Sequence, residues 1–126
     1  MISGIHHISM KCGTEAEFEK AKDYYLRVLG FTAVREWPAG IMIDTGSGLL
    51  EIFSNGTGIR SKGALRHIAF STDSTDNMAA KVKAAGYEVF IEPEDYTVPS
   101  QPEHHARIAF CIGPLGEEIE FYQELS

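Results

Sequence analysis

Four residues of the types that bind divalent metals stand at corresponding places in the two halves of the sequence. His7 and His67 are separated by 60 positions, and Glu51 and Glu120 by 69 positions. Two imidazoles and two carboxylates form a ligand set that suits zinc, nickel, cobalt, manganese or iron(II), since softer ions prefer thiolates. A bound ion of this kind polarises a carbonyl or stabilises an enediolate. We therefore predict one divalent metal site formed by these four side chains.

Each histidine and carboxylate also has a simpler interpretation when taken alone. A single His in a strand is more often structural or exposed than a ligand, and Glu120 belongs to a local acidic cluster. The agreement between the two halves favours the metal site over four separate coincidences. His6 is interpreted as structural or exposed. His104 and His105 are expected in a long loop, either as surface residues or as part of a lid.

Strand alternation gives these side chains a direction. In the first strand, His7 lies opposite the face that carries Ile8, and in the last strand Glu120 lies opposite Ile119 and Phe121. If helices cover these apolar faces, the two His and the two Glu point to the other side of the sheet. A carboxylate at mid-strand between apolar neighbours is costly unless it is paired, hydrogen-bonded or metal-bound.

The elements that must position the four residues occur twice in the same order: strand, helix and three strands. In the first half, a capping box at Thr14 predicts a helix that continues to Leu29, before Gly30 as terminator. In the second half, a helix is predicted over 74–85, and a loop over 94–105. Strands are predicted over 5–12, 31–37, 41–45, 49–54, 65–72, 87–92, 106–112 and 117–122. We predict a single domain, 1–126, built from duplicated modules 1–58 and 63–126.

Composition excludes several other classes of protein. The chain has 126 residues, 11 Lys and Arg against 18 Asp and Glu, and a formal net charge of −7. Scattered basic residues argue against nucleic-acid binding, which needs clustered cations. No apolar stretch or leader predicts membrane insertion or secretion. Cys12 and Cys111 are expected to be reduced thiols, so we predict a cytoplasmic location.

The same segments resemble a known superfamily along essentially the whole chain. The sequences that carry the resemblance are IHHISM at 5–10, AKDYYLRVLGF at 21–31, LEI at 50–52, RHIA at 66–69 and GPLGEEIEF at 113–121. They are similar to the vicinal oxygen chelate superfamily, which includes glyoxalase I, methylmalonyl-CoA epimerase, extradiol dioxygenases and fosfomycin- and bleomycin-resistance proteins. The resemblance implies an α+β fold of two βαβββ modules forming an open, cupped mixed sheet around the metal.

The resemblance also implies a reaction. Dioxygenases use two His and one Glu, and epimerases typically place Gln on the fourth strand, where this chain offers Glu51. The set is closest to bacterial-type glyoxalase I (lactoylglutathione lyase), which implies nickel or cobalt, with zinc common in relatives, and a homodimer. Glu120 would then move a proton between adjacent carbons of a hemithioacetal, such as the adduct of methylglyoxal with glutathione or another thiol, with Glu51 assisting.

Some residues depart from the glyoxalase I pattern. Arg66 stands where a small or polar residue is usual, and Gly113 replaces the usual Asp before the Pro-x-Gly turn. The candidate residues for glutathione binding are isolated along the sequence: Arg27, Arg35, Arg60 and Arg107. Two alternatives therefore stay open, an acyl-CoA epimerase-like enzyme and a metal-free protein that sequesters a small molecule.

Overall fold

The computed structural model describes residues 1, 5–56, 65, 67–100 and 102–125. The chain divides into two compact units, Met1–Ser61 and Lys62–Ser126. The first contains β1 (His7–Lys11), α1 (Glu15–Lys22), β2 (Thr32–Trp37), β3 (Gly40–Asp44) and β4 (Leu49–Phe53). The second contains β5 (Ile68–Ser71), α2 (Thr75–Ala84), β6 (Val89–Val98), β7 (His104–Ile112) and β8 (Glu118–Glu124). The predicted α+β fold of two βαβββ modules is confirmed. Arg60 and Arg66 lie outside the described residues.

Each unit contains an open four-stranded mixed sheet with the same strand order. The first sheet runs β1-β4-β3-β2 and the second β5-β8-β7-β6. In both, the first strand pairs in parallel with the last, and the other pairs are antiparallel. A parallel pair needs a crossover, which the intervening helix and strands provide. No helix in the described part of the chain is long and apolar enough to be a membrane span.

The first helix begins at the predicted cap. The Thr14 hydroxyl accepts a hydrogen bond from the Glu17 N–H (3.1 Å), and the Glu17 carboxylate accepts one from the Gly13 N–H (2.6 Å). Two amides that no helical carbonyl can reach are thereby satisfied. Gly30 follows the last turn with φ +79°, a conformation that glycine adopts without steric cost.

The predicted continuous α-helix up to Leu29 is wrong in its second half, because residues Asp23–Val28 form a π-helix. The Leu29 N–H bonds to the carbonyl of Tyr24 (2.9 Å), five residues back instead of four. The wider turn accompanies complete burial of both Tyr24 and Tyr25. Apolar spacing over six residues does not distinguish the two helix types.

One face of the first sheet is buried, and the helix lies on that side. Lys22 at the end of α1 donates to Glu36 of β2 (2.9 Å), and Glu36 pairs in register with the buried Ile41. The neighbouring strands contribute further residues that are almost fully buried: Ile43, Leu50 and Ile52. The opposite face, which carries His7 and Glu51, is free of α1.

The second sheet has the same arrangement, with α2 fixed to β7 and β8. The Thr75 hydroxyl donates to the carbonyl of Arg107 (2.7 Å), and the Thr75 N–H donates to the Gln123 side chain (3.1 Å). Thr75 is fully buried, so these bonds satisfy polar groups that water does not reach. The residues buried on this side of the sheet and on α2 are Ala79, Val82, Ala109, Cys111, Ile119 and Phe121.

The predicted loop over 94–105 is also wrong. Strand β6 continues to Val98, and β7 begins at His104, so both strands of this hairpin are longer than expected. Pro93 lies where the register shifts between Ile91 and Glu94, a bulge that tolerates a residue without an N–H. His104 and His105 are therefore strand residues. Strand β5, predicted from Leu65, begins at Ile68, so His67 directly precedes it.

Candidate metal centre

The first candidate pair lies on the face of the first sheet that α1 leaves free. In the parallel pairing of β1 with β4, Ser9 is the register partner of Glu51, and His7 stands two residues before Ser9 on the same face. The Nε2 atom of His7 is 3.6 Å from the Oε1 atom of Glu51. A carboxylate and an imidazole at this separation offer one oxygen and one nitrogen ligand on the same side of the sheet.

The second pair repeats this geometry in the second sheet. Ala69 of β5 is the register partner of Glu120 in β8, and His67 again stands two residues before it. The distance from His67 Nε2 to Glu120 Oε1 is 3.3 Å. The Phe110 ring meets His67 edge to face, with 5.3 Å between ring centroids, and restricts the orientation of the imidazole.

The next strand carries equivalent neighbours for the two carboxylates. Met42 of β3 is the antiparallel register partner of Glu51, and Phe110 of β7 is that of Glu120. Each unit therefore presents a His, a Glu and an apolar residue at the same three places of its sheet. The two pairs correspond residue for residue in backbone pairing as well as in order along the chain.

Glu120 has an unfavourable environment for a charged group. The residue is 8% exposed. Burial raises the pKa of its carboxyl above the usual value, and the charge and hydrogen bond of His67 act in the opposite direction. A buried carboxylate gains most from a close cation, so a divalent ion is a fitting partner for it.

The structure brings His7 to Glu51 and His67 to Glu120, each within its own unit. Within residues 1, 5–56, 65, 67–100 and 102–125, no group of three or more His, Cys, Asp or Glu is arranged to hold a metal ion. The imidazole nitrogen and carboxylate oxygen of each pair are donor atoms of the types that suit nickel, cobalt or zinc. The combination of both pairs into one four-ligand site stays a prediction.

Of the three further histidines, His6 is exposed, as one of its two predicted interpretations has it, whereas His104 and His105 lie in β7 instead of the predicted loop. Exposed His6 has its Nδ1 atom 2.9 Å from Nδ1 of His7, a contact that leaves the Nε2 atom of His7 facing Glu51. The His104 ring stacks on Tyr122 of β8, with 5.9 Å between centroids. His105 Nδ1 is 3.2 Å from the Thr97 hydroxyl across the hairpin. The adjacency of His6 and His7 was the available sequence signal for the first contact.

Two of the candidate arginines for a thiol adduct are engaged elsewhere. Arg27 forms two hydrogen bonds with Asp23 (2.7 and 2.8 Å), and this pairing lowers the pKa of Asp23. Arg107 holds Asp76 through two bonds (2.6 and 3.0 Å) and Asp95 through a third (2.9 Å). Arg35 instead places its Nη1 atom 3.1 Å from the sulfur of Met42, next to the first pair.

The turn before β8 explains how the chain tolerates Gly113. The Glu117 carboxylate accepts a hydrogen bond from the Leu115 N–H (2.7 Å) inside this turn. A Cβ atom at position 113 would overlap that carboxylate. Glu117 thus fills the space next to Gly113 and binds a turn amide, three residues before Glu120.

The family follows from a match over nearly the whole chain. The model of the Glyoxalase/Bleomycin resistance protein/Dioxygenase superfamily matches residues 4–121. The chain belongs to this superfamily. The match includes both βαβββ modules and all four of the predicted ligand positions, and it confirms the resemblance seen in the sequence.

Proteins of similar sequence or structure include an uncharacterised protein, an antibiotic-binding protein and an enzyme. The uncharacterised protein YwkD of Bacillus subtilis (strain 168) is 28% identical, covering 98% of this chain and 99% of that protein. The antibiotic-binding protein TnmS3 from Streptomyces sp. CB03234 has a TM-score of 0.72 at 23% identity, covering 98% and 97% of the two chains. Lactoylglutathione lyase from Agrobacterium tumefaciens has a TM-score of 0.66 at 17% identity, covering 98% and 95%. At these identities the structural likeness shows the fold alone.

Proposed function

We propose that the protein is a metal-dependent lyase or isomerase of the glyoxalase I type. One divalent ion (nickel, cobalt or zinc) is held by His7, Glu51, His67 and Glu120. The observation that carries the proposal is the repeated His–Glu pair, at distances of 3.6 and 3.3 Å and at the same register position in both sheets. The pairs come either from one chain or from two copies in a homodimer.

The substrate of the proposed reaction presents two adjacent oxygens, as the hemithioacetal of methylglyoxal with a thiol does. When bound, the ion supplies Lewis-acid stabilisation of the charge that develops on substrate oxygens. Glu120 takes a proton from one carbon and returns it to the neighbouring carbon, while Glu51 assists from the first sheet. Proton transfer by a positioned carboxylate contributes about 10²–10⁴ in rate. Met42 and Phe110 are the apolar register partners of the two carboxylates.

The test combines metal content with turnover. The protein is purified, its metal is quantified, and conversion of methylglyoxal plus glutathione is measured after loading with nickel, cobalt or zinc. Glu120→Gln removes the base and a charged ligand, so we expect metal affinity to fall and turnover to drop by at least about a hundredfold. The matched control is Glu124→Gln, an exposed residue of the same strand. Full activity of Glu120→Gln, or an equal loss in the control, contradicts the proposal.

A second candidate is a protein that sequesters a small molecule without metal. It is favoured by the likeness of the fold to TnmS3, which is described as an antibiotic-binding protein. Metal analysis separates the two. Clearly less than about one equivalent per site after loading, with unchanged stability on addition of nickel or zinc, supports sequestration, because a metal that binds the folded state raises its stability.

A further inference from the structure

The free face of the first sheet carries more than the His7–Glu51 pair. Cross-strand register places two neighbouring rows of side chains on it. The row of Glu51 consists of Ser9, Glu51, Met42 and Arg35, and the next row consists of Lys11, Phe53, Gly40 and Trp37. The two rows are two residues apart along each strand, which is about 7 Å, so both fit beneath one small molecule. We call these two rows the ligand face.

Aromatic rings line one side of the ligand face. The Trp37 and Phe53 rings meet edge to face, with 5.8 Å between centroids and an interplanar angle of 77°. Gly40 lies between them in register, and a Cβ atom there would come within 2.7 Å of the Trp37 ring. Absence of a side chain at position 40 therefore allows the indole to lie over the sheet. Both rings are half-buried, so each keeps surface available to a flat ligand.

Two cationic side chains lean over the same face. The Nζ atom of Lys11 is 5.7 Å from the centroid of the Phe53 ring, and the Nη1 atom of Arg35 is 3.1 Å from the Met42 sulfur. Both head groups thus lie over the two central strands. Each starts from an outer strand, so the side chains converge toward the middle of the sheet.

These cations differ from the other arginines that the structure describes. Arg27 and Arg107 are held by aspartates, whereas Arg35 and Lys11 form no ion pair with a carboxylate of a described residue. The acidic residues on this side of the sheet, within or next to the ligand face, have other partners. Glu51 faces His7, and Asp44 accepts a hydrogen bond from the Gly46 N–H (2.8 Å). Two converging positive charges next to aromatic rings complement a ligand that is both anionic and flat.

We propose that the ligand face binds an aromatic carboxylate, its ring packed against Trp37 and Phe53 and its carboxylate held by Lys11 and Arg35. Charge-assisted hydrogen bonds to the two cations fix the anionic end. The aromatic contacts select a planar group over an aliphatic one of similar size. For the enzyme, this adds an aromatic carboxylate group to the vicinal-oxygen substrate, and that extension rests on the proposed function. The binding step itself involves neither metal nor turnover.

Binding is tested on the full chain in the presence of a chelator, with para-nitrobenzoate as the probe. Trp37 is the single tryptophan of the chain, so its fluorescence reports contact of the nitroaromatic ring with this face, and calorimetry gives the affinity. Two analogues separate the recognition elements. Para-nitrobenzyl alcohol keeps the ring without the charge, and cyclohexanecarboxylate keeps the charge without the aromatic ring.

Three variants and one control locate the binding site. Lys11→Met and Arg35→Met are each expected to weaken para-nitrobenzoate binding about fivefold, as for a partly exposed charge pair. Phe53→Leu is expected to weaken it about threefold while preserving the Trp37 signal. Lys20→Met, which removes an exposed cation from α1 instead of from the ligand face, is expected to leave binding unchanged.

Saturable quenching of Trp37, with both analogues bound at least about fivefold more weakly, supports the proposal. Quenching that does not saturate overturns it. Equal affinity for either analogue, or equal affinity of the two cation variants and the wild type, also overturns it. Metal content of the same preparation is measured separately. If para-nitrobenzoate binds specifically but the protein takes up no metal, only the enzyme proposal is contradicted. If the protein takes up metal but does not bind para-nitrobenzoate specifically, only the proposal for the ligand face is contradicted.

Discussion

The turn that leads into β8 gives the sharpest test of the local structure. Changing Gly113 to Asp adds a side chain where the Glu117 carboxylate already lies. Two carboxylates cannot share this space, because they overlap sterically and repel each other. Glu117 must leave its hydrogen bond with the Leu115 N–H (2.7 Å). A hydrogen bond to a charged group contributes about 1.5–3 kcal/mol, so we expect Gly113→Asp to destabilise the protein by about 2 kcal/mol.

This loss is large enough to measure by urea denaturation and by thermal unfolding followed by circular dichroism. For a chain of this size, about 2 kcal/mol corresponds to a decrease in Tm of about 8 °C. Glu117→Ala alone should lose a similar amount, because the Leu115 N–H loses the same partner. In the double variant, the aspartate introduced at position 113 has room and can accept the turn amide itself. We therefore expect the double variant to be more stable than the sum of the single losses by at least about 1 kcal/mol.

The double variant tests whether residues 113 and 117 compete for the same space. If the stability losses of the two single variants simply add in the double variant, they do not compete. If Gly113→Asp leaves the free energy of unfolding unchanged, the turn relaxes without cost. Either result refutes the account of the departure from the usual Asp. The control for adding an aspartate elsewhere is Ser54→Asp, which lies outside this turn. Gly46→Ala is unsuitable as a control, because alanine at a positive φ (+97°) introduces backbone strain of its own.

Two further predictions concern stability. Hydrogen bonds from the Arg107 guanidinium lower the pKa of Asp76 below its usual 3.8. The ion pair therefore stabilises the folded state at pH values above 3.8, and this stabilisation is lost as the pH falls through the lowered pKa. Asp76→Asn should be less stable than wild type at neutral pH in urea denaturation, and the difference should shrink as the pH falls. A difference that is independent of pH contradicts this. Gly30→Ala should lower the free energy of unfolding by about 1 kcal/mol, measured by the same method, because alanine is strained at a φ of +79°. No atom lies close enough to clash with the added Cβ, so the backbone strain is the whole effect. Unchanged stability would show that the helix end adjusts freely.

Local sequence patterns predicted most of the fold because the patterns and the backbone have the same period. Alternating apolar residues located the strands and the side of each sheet that a helix covers. Thr14 and Gly30 marked the ends of the first helical segment through hydrogen-bonding and steric rules that act within a few residues. For the candidate site, alternation placed His7 and Glu51 on one face, and register supplies the distance between them. Their role as ligands stays a prediction.

The errors arose where a longer-range contact outweighs the local pattern. Pro93 suggested an interruption, but pairing with β7 continues across it because a bulge removes the need for its missing N–H. The same pairing brings His104 into a strand. The π-helix escaped detection because burial of two adjacent tyrosines depends on the rest of the core. Arg35 was considered only as one of several scattered cations, since its approach to Met42 depends on the register of β2 with β3.

Met42 and Phe110 occupy equivalent places in the sheets of the two units. Backbone hydrogen bonds hold each sheet together, so either residue can change without shifting the strand that carries its neighbouring Glu. Divergence at these two positions would alter the surroundings of the carboxylates while the carboxylates themselves are retained. Paired libraries at 42 and 110 would therefore explore new selectivity with little disturbance to folding, which makes these positions natural starting points for directed evolution.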